Sequence, residues 1–471
     1  MSDIASSVPF VRVVVLSFDG GQMTIDCIES LLRTEWPSAR FEIVMVDNGS
    51  LDDVTERVRG AYPMVRVLEP LRNLGFAGGC NLGMSATEST TGEPLQPYDF
   101  VALVNNDATV DPSWLAELVH GISLGNDIGA TSAKMLFADR YTGIDVEVSQ
   151  TSLAGGGDDR QIGVCVSAVR IDGVRADARL QFDEGFHGPV AHDPTRGEEF
   201  ARWSKGRGAL RIAETRPDTS IEQVVSFRLS AETRRTVTLR SDVDEVVIEV
   251  GGGYDRNAPE FRWVDVRVGA DVFDVVNNVG SCLFPRGFGG DRGFLERDRG
   301  QFEQAVEVFA WCGGAVLLRR EYLESVGMFD ERLFLYYEDT DLSWRGRLQG
   351  WRYLYVPTAV VRHRHAQSSG LHSDVFRFHT ERNRLLVLAK NAPMWLAVRS
   401  GLGEVRRTVV INLRHLVLRP LTLRMPAKPE ARLRRRVLKS YLSLVPSMVR
   451  DRWMMDRRVS RRSLMSWETT K

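Results

Sequence analysis

The chain has 471 residues, of which 43% are hydrophobic and 26% are charged, an ordinary globular composition that excludes a disordered or fibrous protein. Its length indicates about two to four domains. The formal net charge of −1 conceals an asymmetry: residues 396–471 contain 19 Lys and Arg against 5 Asp and Glu, so they carry +14 and the preceding residues carry −15. A functional prediction has to account for this acidic body with a basic tail.

Cysteine usage and hydropathy exclude further classes. The five cysteines are odd in number, widely spaced and without a CxxC pair, which disfavours a disulfide framework or a zinc site and favours a reducing cytosol. The N-terminus lacks the basic start and apolar core of a signal peptide. No apolar run reaches the roughly 18–20 residues that span a bilayer. We therefore expect a soluble or peripheral membrane protein.

In chain order, apolar strands alternate with helical periods over the first 135 residues. This repetition predicts an α/β fold with a mostly parallel sheet and helices on both faces. Strands are predicted at residues 11–16, 41–46, 65–68 and 100–104, and helices near residues 25–32, 54–58, 75–86 and 114–119.

The pattern changes at about residue 140. Residues 141–276 contain short β-branched segments separated by Gly, Asp and Pro, which predict an inserted antiparallel unit similar to a small β-sandwich. Helical and α/β character returns over residues 277–392, where a helix is predicted at residues 342–348. Residues 393–471 are predicted to form a basic, amphipathic helical tail.

Acidic residues follow three of the N-terminal strands: Asp19, Asp47 and Asp107. In an open α/β sheet, ligands bind outside the carboxyl ends of the strands. Asp47 could accept hydrogen bonds from a ribose or a base, and Asp107 could hold Mg²⁺ or Mn²⁺ on a diphosphate, because hard carboxylate oxygens suit these ions. The alternative is that these residues only cap helices or make turns.

A glycine-rich segment covers residues 72–81, Arg-Asn-Leu-Gly-Phe-Ala-Gly-Gly-Cys-Asn. Glycines let a backbone approach a ligand closely, and the helix that follows offers free N–H groups to a phosphate. The spacing is not the dinucleotide fingerprint G-x-G-x-x-G. A ligand-binding loop is therefore predicted, with a glycine-rich loop that binds nothing as the alternative.

Residues 336–341, Tyr-Tyr-Glu-Asp-Thr-Asp, place three carboxylates in four positions, where they repel one another unless a counter-charge or a function compensates. One carboxylate opposite a bound electrophile would serve as a general base. Downstream, His363 and His365 could join a carboxylate in a mixed metal site, although histidines are usually structural. Residues 311–315, Trp-Cys-Gly-Gly-Ala, are expected to provide backbone packing or a wall for a sugar ring.

These motifs, in this order, resemble those of family 2 glycosyltransferases with the GT-A fold. The similarity is strongest to rhamnosyltransferase-like and galactofuranosyltransferase-like members, and it covers about residues 11–137 and 277–392. It implies a nucleotide-sugar-binding half at residues 1–140 and an acceptor-binding, catalytic half at residues 277–392. The matching stretches are residues 46–50, 73–83, 103–107, 313–318, 329–331, 336–345 and 357–363.

The resemblance implies inverting transfer of a sugar from a nucleotide-diphosphate donor, assisted by Mg²⁺ or Mn²⁺. By position, Asp339 matches the general base, whereas Asp107 and His363 match metal ligands, with His365 as the competing choice. The implied donor-binding residues are Ser17, Asp19, Asp47, Asn73, Gly78, Asn81 and Asn106. The implied acceptor-binding residues are Trp311, Gly313, Gly314 and Glu338.

Two positions depart from the family pattern. Asn105 replaces the first Asp of the D-x-D motif, which weakens any assignment of ribose contacts there. Phe18-Asp19 stands where many members have Tyr-Asn, so the preference for a donor base stays open.

The tail and the insertion extend the prediction. Basic amphipathic helices suit anionic membrane surfaces, and no nucleic-acid-binding motif accompanies the arginines, so a membrane rather than a nucleic acid is the expected partner. The insertion is either a carbohydrate-binding or acceptor-guiding module or a contact in a homo-oligomer.

We therefore expect a cytoplasmic glycosyltransferase, peripheral at the inner face of the cell membrane. It would add a rhamnose-like or galactofuranose-like sugar to a glycan or a polyprenyl-linked acceptor in cell-envelope polysaccharide synthesis. The alternative is a non-catalytic scaffold of the same fold that binds a sugar or a nucleotide. The presence of Asp107, Asp339 and His363 favours the enzyme.

Overall fold

The computed structural model describes residues 8–153, 160–183, 185–188, 201–251, 261–364, 373–413 and 428–469. His365 and the amphipathic positions predicted between residues 414 and 427 lie outside these ranges. The chain divides into a first unit, formed by Met1–Ala138, Asn277–Phe294 and Arg299–Lys471, and a second unit, formed by Asp139–Val276 and Leu295–Asp298.

Strands and helices alternate at the start of the first unit, as the sequence predicts. The first strand is buried along almost its whole length because four valines and a leucine occupy its seven positions. The elements are β1 (Val11–Ser17), α1 (Gly21–Leu32), β2 (Phe41–Asp47), α2 (Val54–Ala61), β3 (Arg66–Leu68), α3 (Gly75–Ser85), β4 (Phe100–Asn105), β5 (Ala108–Val110), α4 (Trp114–Ile122) and β6 (Ile128–Phe137).

The second unit consists of short strands. They are β7 (Tyr141–Val148), β8 (Ser152–Leu153), β9 (Gln161–Ile162), β10 (Cys165–Ile171), β11 (Val174–Arg175), β12 (Leu180–Phe182), β13 (Arg202–Trp203), β14 (Arg207–Ala213), β15 (Gln223–Ser230), β16 (Arg235–Arg240), β17 (Glu245–Val250), β18 (Arg262–Val268) and β19 (Val272–Phe273).

The chain then returns to the first unit. These elements are β20 (Val276–Asn278), β21 (Ser281–Phe284), β22 (Phe288–Asp291), β23 (Val306–Glu307), β24 (Ala315–Arg319), α5 (Arg320–Val326), α6 (Glu338–Gln349), β25 (Arg352–His363), α7 (Asp374–Asn391), α8 (Met394–Leu413) and α9 (Lys428–Met454).

The first unit is built on a ten-stranded sheet in the order β23-β25-β6-β24-β4-β1-β2-β3, with β20 paired to β6 and β5 paired to β25. The strands β4-β1-β2-β3 are parallel. In contrast, β24 runs antiparallel to both β4 and β6, so the sheet is mixed rather than mostly parallel. This arrangement confirms the α/β class and places the carboxyl ends of β1, β2 and β4 at one edge.

The second unit is a β-sandwich. One sheet has the order β11-β10-β15-β18 and the other β12-β14-β7-β16-β17, and their adjacent strands are antiparallel. Alternating apolar side chains of both sheets form one buried core, as in the strands that carry Val146, Phe227 and Leu239. The β-rich insertion predicted from the sequence is therefore confirmed.

The C-terminal tail is helical, as predicted, and it packs against the first unit. Leu388 of α7, Leu396 of α8 and Val437 and Tyr441 of α9 share one apolar core with Trp344 of α6. Among the described residues, no helix combines the length and the hydropathy that a bilayer crossing requires. The tail is thus anchored by an apolar face and is an integral part of the first unit.

An arginine at the centre of the tail has an internal role. Arg434 is almost fully buried, and its guanidinium group donates hydrogen bonds to Glu381, Glu404 and Glu430. The distance from its Nε to Oε1 of Glu430 is 2.8 Å, and the distance from Nη2 to Oε1 of Glu381 is 2.6 Å. Part of the positive charge of the tail is therefore neutralised within the protein.

Candidate active site

The loop after β2 links the ends of β1 and β2. Asp47 is buried, its Oδ1 accepts a hydrogen bond from the Ser50 N–H (3.0 Å), and its Oδ2 accepts one from the Thr55 hydroxyl (2.7 Å). Asp19 has a positive φ of 49°, and its Oδ1 accepts from the Leu51 N–H (2.7 Å). Both carboxylates stabilise this loop, and their contact with a nucleoside stays a prediction.

Thr24 of α1 brings two further predicted donor-binding residues together. Its hydroxyl lies 3.0 Å from the hydroxyl of Ser17, at the end of β1. The amide of Asn106, just after β4, donates to the same hydroxyl (3.0 Å). The carboxyl ends of β1 and β4 therefore meet at the start of α1, where a ligand of this sheet would be expected.

The glycine-rich segment is mostly a helix, since α3 begins at Gly75. A Cβ atom at Gly79 would lie 2.4 Å from the side chain of Leu16, and one at Gly83 would lie 2.4 Å from that of Val14. These glycines allow α3 to pack closely on β1, and the contact of residues 72–81 with a ligand stays a prediction. Gly78 is also buried in this helix.

Two asparagines of this segment hold neighbouring backbone. Asn73 Oδ1 accepts from the Gly75 N–H (2.7 Å) and from the amide of Asn48 (3.1 Å). Asn81 pairs with the backbone of Phe329, donating to its carbonyl and accepting from its N–H, both at 3.0 Å. Asn81 therefore joins α3 to the segment that precedes α6, and its contact with a donor stays a prediction.

The two predicted metal ligands lie side by side, although 256 positions separate them in the sequence. The Nε2 atom of His363, at the end of β25, is 2.9 Å from Oδ1 of Asp107, which follows β4. On the other side of the ring, Nδ1 is 3.1 Å from Oδ1 of Asn277. The Ala138 N–H donates to the His363 carbonyl (2.9 Å), which fixes the backbone at this point.

This pair fits a divalent cation. When Nδ1 donates to Asn277, the lone pair of Nε2 faces Oδ1 of Asp107 and the amide of Asn105, which is 3.2 Å away, and this lone pair could bind a cation. Neighbouring ligands around an octahedral Mg²⁺ ion are separated by about 3 Å, close to the distance between Nε2 and this Oδ1 atom. Among the described residues, no group of three or more His, Cys, Asp and Glu side chains could hold a metal. Mg²⁺ commonly completes such a site with phosphate oxygens and water.

Asp339 is connected to the same edge of the sheet by two glycines. The Gly313 N–H donates to Oδ2 of Asp339 (3.3 Å). The carbonyl of the adjoining Gly314 accepts from the N–H of Asn105 (3.0 Å), two residues before Asp107. A backbone path of one dipeptide therefore links the predicted base to the strand end that carries the predicted metal ligand.

Glu338 and Asp339 form an uncompensated carboxyl pair. Burial, reinforced by the charges of Asp339 and Asp341, raises the pKa of Glu338 to about 8. Burial also raises the pKa of Asp339, although the N–H groups of Gly313 and Thr340 oppose the increase. Glu338 is therefore mainly protonated near neutral pH, which leaves Asp339 as the carboxylate that can accept a proton.

The third carboxylate of the motif lies in a different environment. Asp341 is fully buried and accepts hydrogen bonds from Arg345 Nε (2.8 Å), Lys390 Nζ (3.0 Å) and Asn391 Nδ2 (2.8 Å). Burial opposes its ionisation, but Lys390 and Arg345 hold its pKa below the ordinary value. Lys390 also contacts Asp330 (2.6 Å), so this group is a buried ion cluster that joins α6 to α7.

Trp311 is enclosed by the protein, whereas the neighbouring Cys312 is partly exposed. Trp311 is fully buried, and its ring centroid lies 6.0 Å from that of Phe329. The structure thus corrects the prediction that this ring contacts an acceptor. Burial raises the pKa of the Cys312 thiol well above its ordinary value, which disfavours the reactive thiolate.

Sequence reasoning missed two residues of α7 that hold the loop before α6. Asn383 is fully buried, and its amide donates to the carbonyls of Leu333 (2.8 Å), Leu335 (2.8 Å) and Tyr336 (2.7 Å). Arg382 donates to the same Leu333 carbonyl (2.8 Å). The sequence around them gives no signal for this role, because the first half of α7 is rich in polar and charged residues. Asn277 was missed as well, because a single asparagine within the short strand β20 has no distinctive pattern.

Comparison with known proteins identifies a related family for the N-terminal part of the chain. Residues 12–137, from β1 to the end of β6, match the family model for Glycosyl transferase family 2. The chain contains a family 2 glycosyltransferase domain. With the mixed sheet described above, this match confirms the predicted GT-A type of fold.

Two curated relatives of this glycosyltransferase domain are similar over short stretches. The N-acetylglucosaminyl-diphospho-decaprenol L-rhamnosyltransferase of Mycobacterium tuberculosis is 44% identical over 71 residues, which cover 15% of this chain and 23% of the relative. Glycosyltransferase AglE of Haloferax volcanii is 26% identical over 123 residues, or 26% of this chain and 38% of the relative. The similarity therefore spans well under half the length of these proteins.

Solved structures with a similar course of the chain are more distant. One is GalNAc-T7 with UDP, GalNAc and Mn²⁺, with 12% identity, 95% of this chain and 59% of that chain covered, and a TM-score of 0.45. Another is the mannosyltransferase PcManGT from Pyrobaculum calidifontis in complex with GDP-Man and Mn²⁺, with 11% identity, 95% and 88% coverage, and a TM-score of 0.39. Both scores are too low to support a functional argument.

Proposed function

We propose that the protein is an inverting glycosyltransferase that uses a nucleotide-diphosphate sugar. The acceptor hydroxyl oxygen forms a bond to the anomeric carbon, the bond from that carbon to the diphosphate breaks, and the electron pair leaves with the nucleoside diphosphate. Asp339 takes the proton of the acceptor hydroxyl. A base on the face opposite the leaving group makes a single displacement, which inverts the anomeric configuration.

The observation that carries this proposal is the contact between Asp107 and His363 at the carboxyl edge of the sheet, to which Asp339 is linked through the backbone of Gly313 and Gly314. A carboxylate and an imidazole suit a divalent cation, and a half-buried carboxylate next to a protonated one suits a general base. The Gly313–Gly314 dipeptide positions the base by a backbone N–H. The donor contacts expected for Ser17, Asp19, Asp47 and Asn106 belong to the same edge.

Asp107 and His363 would hold Mg²⁺ or Mn²⁺, with Asn277 orienting the imidazole. When bound, such an ion neutralises the charge that develops on the departing diphosphate. Glu338, kept protonated by burial, adds no negative charge next to Asp339 at neutral pH. The pair therefore retains one carboxylate to accept the proton.

The similarity to an L-rhamnosyltransferase named for a decaprenyl diphosphate-linked substrate supports a rhamnose-like or galactofuranose-like donor and a glycan or polyprenyl-linked acceptor. Synthesis of a cell-envelope polysaccharide would use such acceptors. The enzyme would then work as a peripheral protein at the inner face of the cell membrane. A homo-oligomer, with the second unit as one contact, is compatible with this role.

A panel of nucleotide sugars tests the proposal. The full chain is incubated with each sugar, with Mn²⁺ or with a chelator, and both nucleotide release and protection from thermal unfolding are measured. We expect one sugar class to protect the protein and to be hydrolysed only when the metal is present. Asp107→Ala and His363→Ala should lose this hydrolysis, whereas the exposed Asp127→Ala control should retain it.

The outcomes separate the candidate functions. Full hydrolysis after exhaustive chelation would contradict the metal role of Asp107 and His363. Protection by a nucleotide sugar without hydrolysis or transfer to any glycan or lipid-linked acceptor would instead identify a non-catalytic binding scaffold.

A further inference from the structure

Helix α8 exposes an apolar stripe along one side. Six apolar side chains of this helix are 36 to 64% exposed, and they recur every three or four residues, as one face of a helix requires. We refer to them as the α8 stripe: Trp395, Val398, Leu402, Val405, Val409 and Leu413. A continuous apolar patch of this kind on a water-soluble surface marks a contact with another apolar phase.

The opposite side of α8 is docked on the first unit. Leu396 is buried in the core that α7 and α9 share, and Gly401 allows the Tyr441 ring to approach, since a Cβ atom there would lie 2.9 Å from its hydroxyl oxygen. Glu404 faces Arg434 at 3.4 Å. The helix is thus held rigidly by one side, and the α8 stripe is not needed for its packing.

Positive charge lies beside the stripe. Arg399 and Arg406 are exposed, and because they are seven residues apart they share one edge of the helix. This arrangement differs from α9, where Arg434 is enclosed by three glutamates. An apolar face with arginines along its border matches the boundary between anionic headgroups and acyl chains.

We propose that the α8 stripe and its flanking arginines bind an anionic lipid surface, with α8 lying in the plane of the interface. The positive charge of the tail then acts through Arg399 and Arg406 rather than through the buried arginine of α9. This surface deepens the proposed function, because it would hold the site near a lipid-linked acceptor. Lipid binding by this surface is nevertheless measured without any transfer reaction. A failure of the lipid-binding proposal therefore leaves the proposed glycosyltransferase function intact, and the reverse also holds.

Vesicle flotation of the full chain tests the α8 surface. Wild type, Trp395→Ser/Leu402→Ser/Val409→Ser and Arg399→Glu/Arg406→Glu are mixed with phosphatidylcholine vesicles that contain or lack phosphatidylglycerol. We expect the triple variant to bind roughly tenfold more weakly to the anionic vesicles. The arginine variant should lose about fivefold or more of its affinity for them and bind both compositions alike.

A matched control removes apolar surface elsewhere. Leu51 and Leu71 are exposed on loops of the first unit, so Leu51→Ser/Leu71→Ser should bind as the wild type does. Equal flotation of the wild type and the triple variant would overturn the proposal. The proposal would also be overturned if the wild type did not bind vesicles but formed a dimer that the triple variant could not form. The α8 stripe would then contact a second copy of the chain.

An independent observation concerns the loop before α6. Phe334, Tyr336 and Tyr337 all have positive φ angles, 65°, 68° and 70°, which are unfavourable for residues other than glycine. Such a backbone persists only where the surroundings hold it, and it leads directly into the carboxyl pair. Asn383 supplies that restraint by donating to three carbonyls of residues 333–336.

We infer that Asn383 is a positioning residue for Asp339. This inference rests on the proposed role of Asp339 as the base. Without the amide, the strained loop relaxes and the first turn of α6 moves relative to Gly313. A displacement of about 1 Å at a reacting group lowers a rate by about 10²-fold while substrate binding elsewhere persists.

The test compares Asn383→Ala and the milder Asn383→Ser with Asn391→Ala, a buried asparagine of the same helix that bonds to Asp341 instead. We expect Asn383→Ala to lower kcat by about 10²-fold with an unchanged KM for the donor, and to shift the acidic limb of the pH–rate profile. Asn383→Ser should retain part of the rate. Asn391→Ala should lower stability alone.

If the Asn383 variants reduced stability but left kcat per folded molecule and the pH–rate profile unchanged, Asn383 would have a structural role only and the inference would be wrong. An Asp339→Asn variant that transfers sugar at the normal rate would instead overturn the proposed base, which distinguishes the two failures.

Discussion

The carboxyl pair of Glu338 and Asp339 and the buried ion cluster around Asp341 are two or three residues apart, yet their environments are opposite. In the pair, one carboxyl is kept protonated by burial and the other accepts hydrogen bonds from N–H and hydroxyl groups. In the cluster, Arg345 and Lys390 compensate Asp341 fully. The first arrangement leaves a carboxylate available for chemistry, whereas the second uses one for cohesion.

The difference shows how one turn of helix separates two tasks. Residues at positions i and i+2 of a helix face nearly opposite sides, so Asp341 points to α7 while Asp339 faces the Gly313 N–H. Removing a charge should therefore affect activity in the carboxyl pair and stability in the ion cluster.

Asp339→Asn should produce the largest effect. Loss of the proton acceptor is expected to reduce transfer by about 10²–10⁴-fold, with the unfolding temperature unchanged or raised, because a carboxylate with a raised pKa no longer has to be buried. This loss is measured as the rate of nucleoside diphosphate release in the presence of an acceptor. Asp127→Asn, on the surface of the same unit, is the control, and a normal rate for Asp339→Asn would remove its assignment as the base.

Asp341→Asn should have the opposite profile. Lys390 and Arg345 would lose a buried counter-charge, and we expect the free energy of unfolding to fall by about 3 kcal/mol or more. Urea unfolding, followed by tryptophan fluorescence, measures this change, and the rate per folded molecule should stay near that of the wild type. The double variant Asp341→Leu/Lys390→Met should recover part of the loss. A large fall in the rate without a fall in stability would contradict the assignment of Asp341 to stability rather than to activity.

The pH dependence of stability should differ between the two regions. The folded-state pKa of Glu338 is raised to about 8, so the unfolded chain loses this proton first and stability falls as the pH rises from about 5 to that value. Glu338→Gln should remove this loss, and its advantage over the wild type should grow towards pH 8. Asp341 has a lowered pKa, so its contribution is present above the ordinary carboxyl value and disappears in acid. Melting curves at a series of pH values measure this effect. The prediction would be wrong if the difference in unfolding temperature between Glu338→Gln and the wild type did not change with pH.

Asn391→Ala should have the smallest effect. It removes one hydrogen bond to Asp341 but leaves both cations, so we expect a loss of about 1.5 kcal/mol in the free energy of unfolding. The same urea measurement applies. A loss as large as that of Asp341→Asn would mean that the amide, and not the ion pairing, holds the cluster together.

Much of the fold could be predicted because buried strands have a strong local signal. The strand predicted at residues 41–46 is Phe41–Asp47, and that predicted at residues 100–104 is Phe100–Asn105. In the second unit, β7 has a similar local signal, since Ile144, Val146 and Val148 alternate with acidic residues. The start of α6 was placed too late, because carboxylates at a helix N-terminus resembled a loop motif.

The candidate site was predictable only in part. Asp107, His363 and Asp339 were selected by a family resemblance, but their partners Asn277, Asn383 and Lys390 lie far away in the sequence. No local pattern reports that a lysine 49 residues downstream neutralises Asp341. Burial of Trp311, similarly, depends on the segment around Phe329 that packs over it. Long-range contacts of this kind arise from the tertiary structure alone.

The chain leaves the large sheet at Ala138 and re-enters it at Asn277, and both residues contact His363. Residues 139–276 therefore begin and end beside one histidine, although Leu295–Asp298 also belong to the second unit. In evolutionary terms, such an insertion can be acquired, exchanged or lost without rearranging the order of the strands in the large sheet. In engineering terms, Ala138 and Asn277 identify where a shorter link could replace the insertion, and the geometry of His363 is the criterion for a successful replacement.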